Sequence, residues 1–259
     1  MKEKINKVWG FLPAGRQVFL DLLFPPVCLV CRKRIDAKED KFFLCLSCLQ
    51  KIKLNNTAFC PVCSRRLPEN KKTCHQDSPF VLAAAGFYGD EVLDSLITLL
   101  KYQKIKQAAV PLGEILSRYL KDLFKNYELS PYGRPLEGRE IKDFLIIPIP
   151  LHWQKEKQRG FNQSYLIAGQ LGKNIGLPIE NNILKRIKNT ASQVELKDRE
   201  KREINIKNCF IVEKPELLFQ KNIIILDDVF TTGATMKEAA SAIKKAGAKK
   251  IIGLVVAKT

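Results

Sequence analysis

Along residues 90–102 the sequence DEVLDSLITLLKY spaces Val92, Leu93, Leu96, Ile97, Leu99 and Leu100 at helical intervals, opens on acidic residues and closes on Lys101. That period predicts an amphipathic helix. Residues 107–124 and 164–174 repeat it, and the proline-, glycine- and charge-rich stretch 130–140 between them reads as an exposed loop. Other segments are apolar without alternation: 145–150 (LIIPIP), 223–229 (IIILDDV) and 251–257. Runs of that length fit strands of a sheet covered on both faces. Residues 223–229 break into FTTGAT, and a helical pattern then runs through Ala246 and stops at Gly247. Strand, loop, helix and strand in this order imply a parallel crossover, so residues 81–259 are expected to form an α/β domain of doubly wound type around a twisted parallel sheet. Residues 206–212 also read as a strand, with Cys209 a buried, inert thiol. No internal repeat is visible.

The first 80 residues have a different texture and are expected to form a separate small module. Val18 to Phe24 (VFLDLLF) predicts a short amphipathic helix packed on the body, with membrane-surface attachment as the lesser alternative. No apolar run approaches the roughly 20 residues needed to cross a bilayer. With no cleavage site before Pro25, the reading is a cytoplasmic protein. Hydrophobic residues make up 46% of the 259, enough for a proper core, and this excludes global disorder. The formal charge of +17 points to an anionic partner, either nucleic acid or a phosphorylated metabolite. Residues 1–80 carry 15 basic and 7 acidic side chains and are the more densely cationic part, although ordinary solubilising charge explains this equally well.

Seven of the eight cysteines fall between positions 28 and 74, six of them as the pairs Cys28/Cys31, Cys45/Cys48 and Cys60/Cys63. A C-x-x-C turn aims two thiolates at one tetrahedral ion, and two such turns complete a structural zinc shell. The pattern from Cys28 to Cys48 is therefore expected to hold zinc, with disulfides as the rival reading that the absence of a secretion signal disfavours. The second group offers three thiols, Cys60, Cys63 and Cys74. Asp77 stands where a fourth ligand would complete the spacing, and His75 competes with it. A metal-free knuckle and ligands shared between the groups remain open. A segment this short buries little core, so metal would supply its folding energy.

In an open parallel sheet ligands bind outside the carboxyl ends of the strands. Asp227, Asp228 and the turn Thr231-Thr232-Gly233-Ala234-Thr235 fall at such an end. The turn's amides and the following helix N-terminus suit a phosphate dianion, and Gly233 lets the backbone close in without a Cβ. The two aspartates suit a vicinal sugar diol, or the waters of a Mg²⁺ ion. A ribose 5-phosphate satisfies both halves. No phosphate-binding G-x-x-x-x-G-K-[ST] or dinucleotide-binding G-x-G-x-x-G pattern is present. Carboxylates locked into ion pairs, or turn amides facing no cavity, would count against the pocket.

Residues 223–235 (IIILDDVFTTGAT) resemble the phosphoribosyl pyrophosphate signature of type I phosphoribosyltransferases. That likeness gives Asp227 and Asp228 the ribose hydroxyls and Thr231 through Thr235 the 5-phosphate. Residues 148–164 (PIPLHWQKEKQRGFNQS), residues 190–205 and the cysteine knuckles are similar to the ComF family of competence-related, phosphoribosyltransferase-like proteins with an N-terminal double zinc ribbon. The resemblance implies a type I phosphoribosyltransferase fold behind the zinc module and a pyrophosphate loop after strand 145–150. Arg159, Gly160, Asn162 and Gln163 would read the pyrophosphate, with His152 and Lys155 as helpers. It also implies a mobile loop at 190–205 that recruits Gln193 and Arg202, against the plain reading of a solvent-exposed connector. Lys101 would reach the same site, although a cation at a helix C-terminus explains it equally. The family tends to show a fourth cysteine where this chain has Asp77.

The expected function is Mg²⁺-dependent binding of phosphoribosyl pyrophosphate in DNA uptake or processing, in company with DNA-uptake machinery and single-stranded DNA. Whether the chain transfers the phosphoribosyl group, and to what acceptor, stays open. The rival reading is a single-stranded nucleic-acid-binding module in which the transferase fold is a sensor or relic. Its support is the positive charge and the aromatics Trp153, Phe161 and Tyr165 near basic residues, which core packing explains equally well.

Overall fold

A computed structural model describes residues 25–35, 42–67, 74–75, 77–125, 143–188 and 208–259. The helix expected at 18–24, the loop at 130–140 and the segment 190–205, with Gln193 and Arg202, lie outside the described residues. In chain order the helices are α1 (Leu46–Lys51), α2 (Glu91–Lys101), α3 (Ala109–Lys125), α4 (Trp153–Arg159), α5 (Gln163–Ile175) and α6 (Ala234–Lys245). The strands are β1 (Val81–Phe87), β2 (Phe144–Pro148), β3 (Leu184–Arg186), β4 (Phe210–Val212), β5 (Asn222–Phe230) and β6 (Lys250–Lys258).

Four strands pair in parallel in the order β1-β6-β5-β2, with Ile146, Ile224 and Ile252 in one rank across β2, β5 and β6. The β5 strand has Ile223 and Ile225 on one face and Ile224 and Leu226 on the other, and each set is fully buried. Helices α2, α3 and α5 cover the second face through Leu96, Leu116 and Leu171, while α6 and the β3-β4 hairpin cover the first through Ile243 and Phe210. Two-sided burial is why these strands lack the alternation of a half-exposed sheet.

Helix α2 follows its sequence pattern closely. Asp90 Oδ1 accepts from the amides of Val92 and Leu93 at 3.1 Å each, and all six spaced apolar residues are buried. Capping of this kind stabilises a helix by about 1 kcal/mol. The α3 pattern is preceded by a 3-10 turn over Lys106–Ala108. Three features depart from the sequence reading. β1 (VLAAAGF) is a buried strand that alanine-rich composition disguised. The expected strand at 206–212 is β4 alone among the described residues, because Asn208 takes a left-handed φ of 54°. The expected pyrophosphate loop contains α4, a helix with no buried residue and therefore no apolar period to reveal it.

The cysteine region is built on a repeated knuckle, contrary to the expectation of no internal repeat. In the first, Cys28 N donates to Lys33 O, Arg32 N to Cys28 O and Ile35 N to Pro26 O. Thirty-two positions on, Cys60 N donates to Arg65 O, Ser64 N to Cys60 O and Leu67 N to Ala58 O. Arg32 and Ser64 share the left-handed region, with φ of 62° and 58°. The backbone repeat has its counterpart in sequence, VCLVCRKRI at 27–35 against FCPVCSRRL at 59–67. The second knuckle is joined to the sheet: Phe59 and Leu82 exchange backbone bonds at 2.7 and 3.1 Å, and Tyr119 Oη donates to Thr57 O at 2.9 Å. Among the described residues no helix is long and apolar enough to cross a membrane.

Candidate functional site

Strand β5 ends in the acidic pair, and the two side chains meet different surroundings. Asp228 is buried on the α2 face, where Lys101 Nζ reaches its Oδ1 at 2.8 Å. The same oxygen accepts from Val229 N at 2.6 Å, whereas buried Oδ2 has no hydrogen-bond partner. Asp227 Oδ1 accepts from Ser164 Oγ and from Asp228 N, both at 2.9 Å. Burial first, and then the charge of Asp228, push the Asp227 carboxyl up to about 7. Burial would lower the Lys101 ammonium, but the charge and hydrogen bond of Asp228 outweigh it and hold the lysine above its ordinary value. Lys101 is the last residue of α2, so the amphipathic pattern of that helix delivers its cation to the end of β5.

The ion pair is half of the outcome that would count against the pocket. It does not close the site, because Asp227 has no ion pair among the described residues and Asp228 keeps Oδ2 unpartnered. The cation is also one that the family resemblance had placed there. The turn after β5 supplies the other half of the pocket. Gly233 adopts φ +75°, and a Cβ there would lie 2.3 Å from the Phe230 ring. Helix α6 starts from this glycine, which has no side chain to cap it, and the Ala234 amide reaches Thr232 Oγ1 only at 3.5 Å. Thr232, Gly233 and Ala234 border a cavity.

The segment after β2 contributes differently from its sequence reading. His152 caps α4, its Nδ1 accepting from Gln154 N at 3.4 Å. Gly160 ends α4 at φ +83°. Asn162 spends both ends of its amide on structure: Oδ1 caps α5 by accepting from Ser164 N at 3.0 Å and Tyr165 N at 3.4 Å, and Nδ2 donates to Ile149 O at 3.0 Å. That cap orients Ser164, hence Asp227, and makes Asn162 a positioning residue. Gln163 is buried with its Oε1 unpartnered. Arg159 forms no ion pair among the described residues. Lys104 Nζ ties the segment to the end of α2 by donating to Gln158 O at 3.1 Å.

Two contributors escaped the sequence reading. Ser164 opens the helix expected at 164–174, and nothing in its pattern names a partner across the sheet. Arg186, on the β3-β4 hairpin, lies over the Phe210 ring at 5.6 Å. Its burial lowers it below the ordinary arginine value, opposed by Cys209 and Asp227, so it is a cation felt at the acidic pair from the hairpin side. Cys209 is fully buried and pushed up to about 11 by burial, as an inert core thiol should be.

Both cysteine groups gather four donors within 4.8 Å of one another: Cys28, Cys31, Cys45 and Cys48 in the first, and Cys60, Cys63, Cys74 and His75 in the second. The fourth place is taken by His75 rather than Asp77. The histidine ring turns Nδ1 to 3.4 Å from the sulfurs of both Cys60 and Cys74, a reach that C-x-x-C spacing alone does not anticipate. Asp77 faces the cavity beside the turn instead. Sulfur separations of 3.6 Å (Cys31–Cys45) and 3.3 Å (Cys63–Cys74) approach the ~3.8 Å tetrahedral edge that ~2.3 Å zinc–sulfur bonds produce. All eight cysteines are free of disulfides. Burial raises Cys45 and Cys60, yet hydrogen bonds outweigh it and bring each down to about 6, while Cys74 is pushed up to about 11 by hydrogen bonds to its sulfur neighbours. Thiols packed this closely ionise together only around a cation, and these donor sets fit structural zinc.

Comparison with known proteins assigns the same two parts. The Double zinc ribbon domain family matches residues 19–76, and the Phosphoribosyl transferase domain family matches residues 162–259. Competence protein F of Haemophilus influenzae is 29% identical over 232 residues, covering 86% of this chain and 93% of that protein. Competence protein ComFC of Bacillus subtilis is 27% identical over 237 residues, covering 85% and 90%. DNA utilization protein YhgH of Escherichia coli K12 is 28% identical over 227 residues, covering 80% and 93%.

Proposed function

Since this chain is a homologue of the ComF-type competence proteins along most of its length, we propose that it binds phosphoribosyl pyrophosphate with Mg²⁺ and serves DNA uptake or processing. One observation carries the reading. At the carboxyl end of β5, Asp227 and Asp228 offer oxygen acceptors beside the N-terminus of α6, and the buried oxygens Asp228 Oδ2 and Gln163 Oε1 have no hydrogen-bond partner among the described residues. Orphaned buried acceptors cost about 1–3 kcal/mol each, and a polyhydroxyl ligand relieves that cost by donating to them.

In this arrangement the turn 231–235 holds the 5-phosphate and Asp227 and Asp228 take the ribose 2- and 3-hydroxyls. Lys101 pairs with Asp228 Oδ1 and leaves Oδ2 to accept, and Ser164 fixes the Asp227 rotamer. Arg159 and Arg186 stand as cations for the pyrophosphate side. The oxygen-rich acidic pair and the pyrophosphate fit Mg²⁺, which Asp227 and Asp228 would hold through its water shell, and which supplies neutralisation of the leaving group's charge. Catalysis at the anomeric carbon would then rest on positioning and charge neutralisation, with pyrophosphate departing as a nitrogen nucleophile arrives. Among the described residues no side chain stands out as general base for that acceptor.

The test is calorimetric titration of the zinc-loaded protein with phosphoribosyl pyrophosphate and Mg²⁺. Binding that disappears in Asp227→Asn/Asp228→Asn, with the fold intact by circular dichroism, supports the reading. A wild-type protein that binds nothing overturns it. Pyrophosphate release across a panel of bases and amines identifies an acceptor if the protein is a transferase.

A second reading, single-stranded DNA binding, is favoured by the exposure of Trp153 (63%) and Tyr165 (42%) beside the basic face of α4 and by Lys106 lying 5.3 Å over the Phe161 ring. Affinity for single strands that falls steeply with salt and survives the double aspartate substitution supports it, and a lack of such affinity removes it. The two readings are compatible.

A further inference from the structure

The two cysteine groups offer similar donors but meet solvent differently. In the first, Cys45 caps α1 and Cys48 lies on it, and both are buried in the core with Cys28. Cys31 is the one exposed sulfur of that set. In the second, Cys60 alone is buried, while Cys63, Cys74 and His75 are exposed. Cys74 and His75 stand in a bend outside any helix or strand. The exposed sulfurs of Cys63 and Cys74 are 3.3 Å apart, whereas the exposed Cys31 has the buried Cys45 as its sulfur neighbour at 3.6 Å. A zinc-bound cysteine is a thiolate, the nucleophilic form of the side chain. Oxidation selects thiolates that solvent reaches and that have a second thiol at hand. The second group meets both conditions with two sulfurs, and the first meets neither fully.

We propose that Cys63 and Cys74 are a peroxide-sensitive modification site, whose oxidation to a disulfide expels the second zinc ion while the first stays bound. One thiolate attacks hydrogen peroxide and breaks its O–O bond, giving a sulfenic acid and hydroxide. The other thiolate attacks that sulfur, forming the S–S bond and releasing a second hydroxide. Two electrons pass from the sulfurs to the peroxide, and zinc leaves as Zn²⁺ because Cys60 and His75 alone do not complete a shell. A thiol reductant supplied with zinc reverses the change. The modification rests on the second donor set and is independent of the sugar-pyrophosphate reading. Its effect extends beyond the knuckle, since His75 borders the same cavity as Thr232, Gly233 and Ala234, and Phe59 beside Cys60 exchanges backbone bonds with Leu82 on β1.

The test treats the full-length, zinc-loaded chain with hydrogen peroxide in the presence of the chromogenic chelator 4-(2-pyridylazo)resorcinol, and maps iodoacetamide-alkylated digests by mass spectrometry. One zinc ion per chain should leave in a first phase together with appearance of a Cys63–Cys74 disulfide, and should return with dithiothreitol and added zinc. The cysteines of the first group should stay reduced until a slower phase. Cys74→His keeps four donors while removing one of the paired sulfurs, so it should hold two zinc ions and lose the fast phase. The proposal is overturned if both ions leave together, if the first disulfide joins other cysteines, or if peroxide releases no zinc. A wild-type chain that loads fewer than two ions overturns it as well, as does a fully loaded Cys74→His chain that releases one ion as fast as the wild type. If that variant loads only one ion, the wild-type peptide map decides.

Discussion

Replacing Lys101 with methionine removes the ammonium at the acidic pair while keeping most of the apolar stem. Lys101 Nζ and Asp228 Oδ1 are 2.8 Å apart, and the two side chains are 16% and 7% exposed. Removing one partner from a buried pair costs about 3–5 kcal/mol. The lower end applies here, because the lysine keeps some solvent and the stranded carboxylates can relieve the penalty by taking up a proton. About 3 kcal/mol corresponds to a fall in Tm of about 6–12 °C for a chain of this size. The pH dependence has a definite sign. Without the cation the Asp227 carboxyl, which burial already holds above the unfolded value of about 3.9, rises further, so the folded variant binds more protons than the wild type. Stability is then retained at low pH and lost as pH rises through the raised folded values. Thermal unfolding followed by circular dichroism at about pH 5 and about pH 8 should show a small deficit at the first and the full deficit at the second. Adding Asp228→Asn should restore much of the loss at the higher pH. A Lys101→Met protein that melts with the wild type at the higher pH, or whose deficit is the same at both, would refute the reasoning.

Gly233→Ala should cost about 1–2 kcal/mol from its left-handed φ alone, and more from the Phe230 ring at 2.3 Å, with phosphoribosyl pyrophosphate affinity reduced as the turn is pushed open. Unchanged melting and affinity would show that the turn tolerates a side chain. Since burial pushes Asp227 up to about 7, its carboxylate form is depleted in mildly acidic solution. Affinity for phosphoribosyl pyrophosphate should therefore rise as pH increases through about 7 and then level off, with proton release on binding in the acidic range; calorimetry in buffers of different ionisation enthalpy measures both. Atomic absorption should find two zinc ions in the wild type and in Asp77→Ala, but one in His75→Ala, and a zinc loss in Asp77→Ala alone would return the aspartate to the shell.

The layered α/β body could be read from sequence because burial on both faces leaves continuous apolar runs, and the Asp227-Asp228 and Thr-Thr-Gly-Ala-Thr elements could be read because their chemistry is contiguous in the chain. Lys101 was reachable only through family resemblance, since 127 positions separate it from Asp228 and the pairing depends on where α2 ends. Ser164 and Arg186 carry no local mark, because the first owes its role to a tertiary hydrogen bond to Asp227 and the second to packing on Phe210 within the field of Asp227. His75 was one of two open choices, and the decision needed the ring's orientation toward Cys60 and Cys74 rather than residue spacing. The knuckle repeat was legible, since VCLVCRKRI at 27–35 recurs as FCPVCSRRL at 59–67, and reading the cysteines only as metal ligands passed over it.

The bonds from Phe59 to Leu82 and from Asn55 to Ala85 fall along β1, the outermost strand on that side of the sheet. An outer strand with bare amides and carbonyls recruits other chains. The metal that shapes the second knuckle therefore also guards the sheet's border. Chelation is expected to announce itself first as self-association of a largely intact body, visible in light scattering before any loss of helical signal.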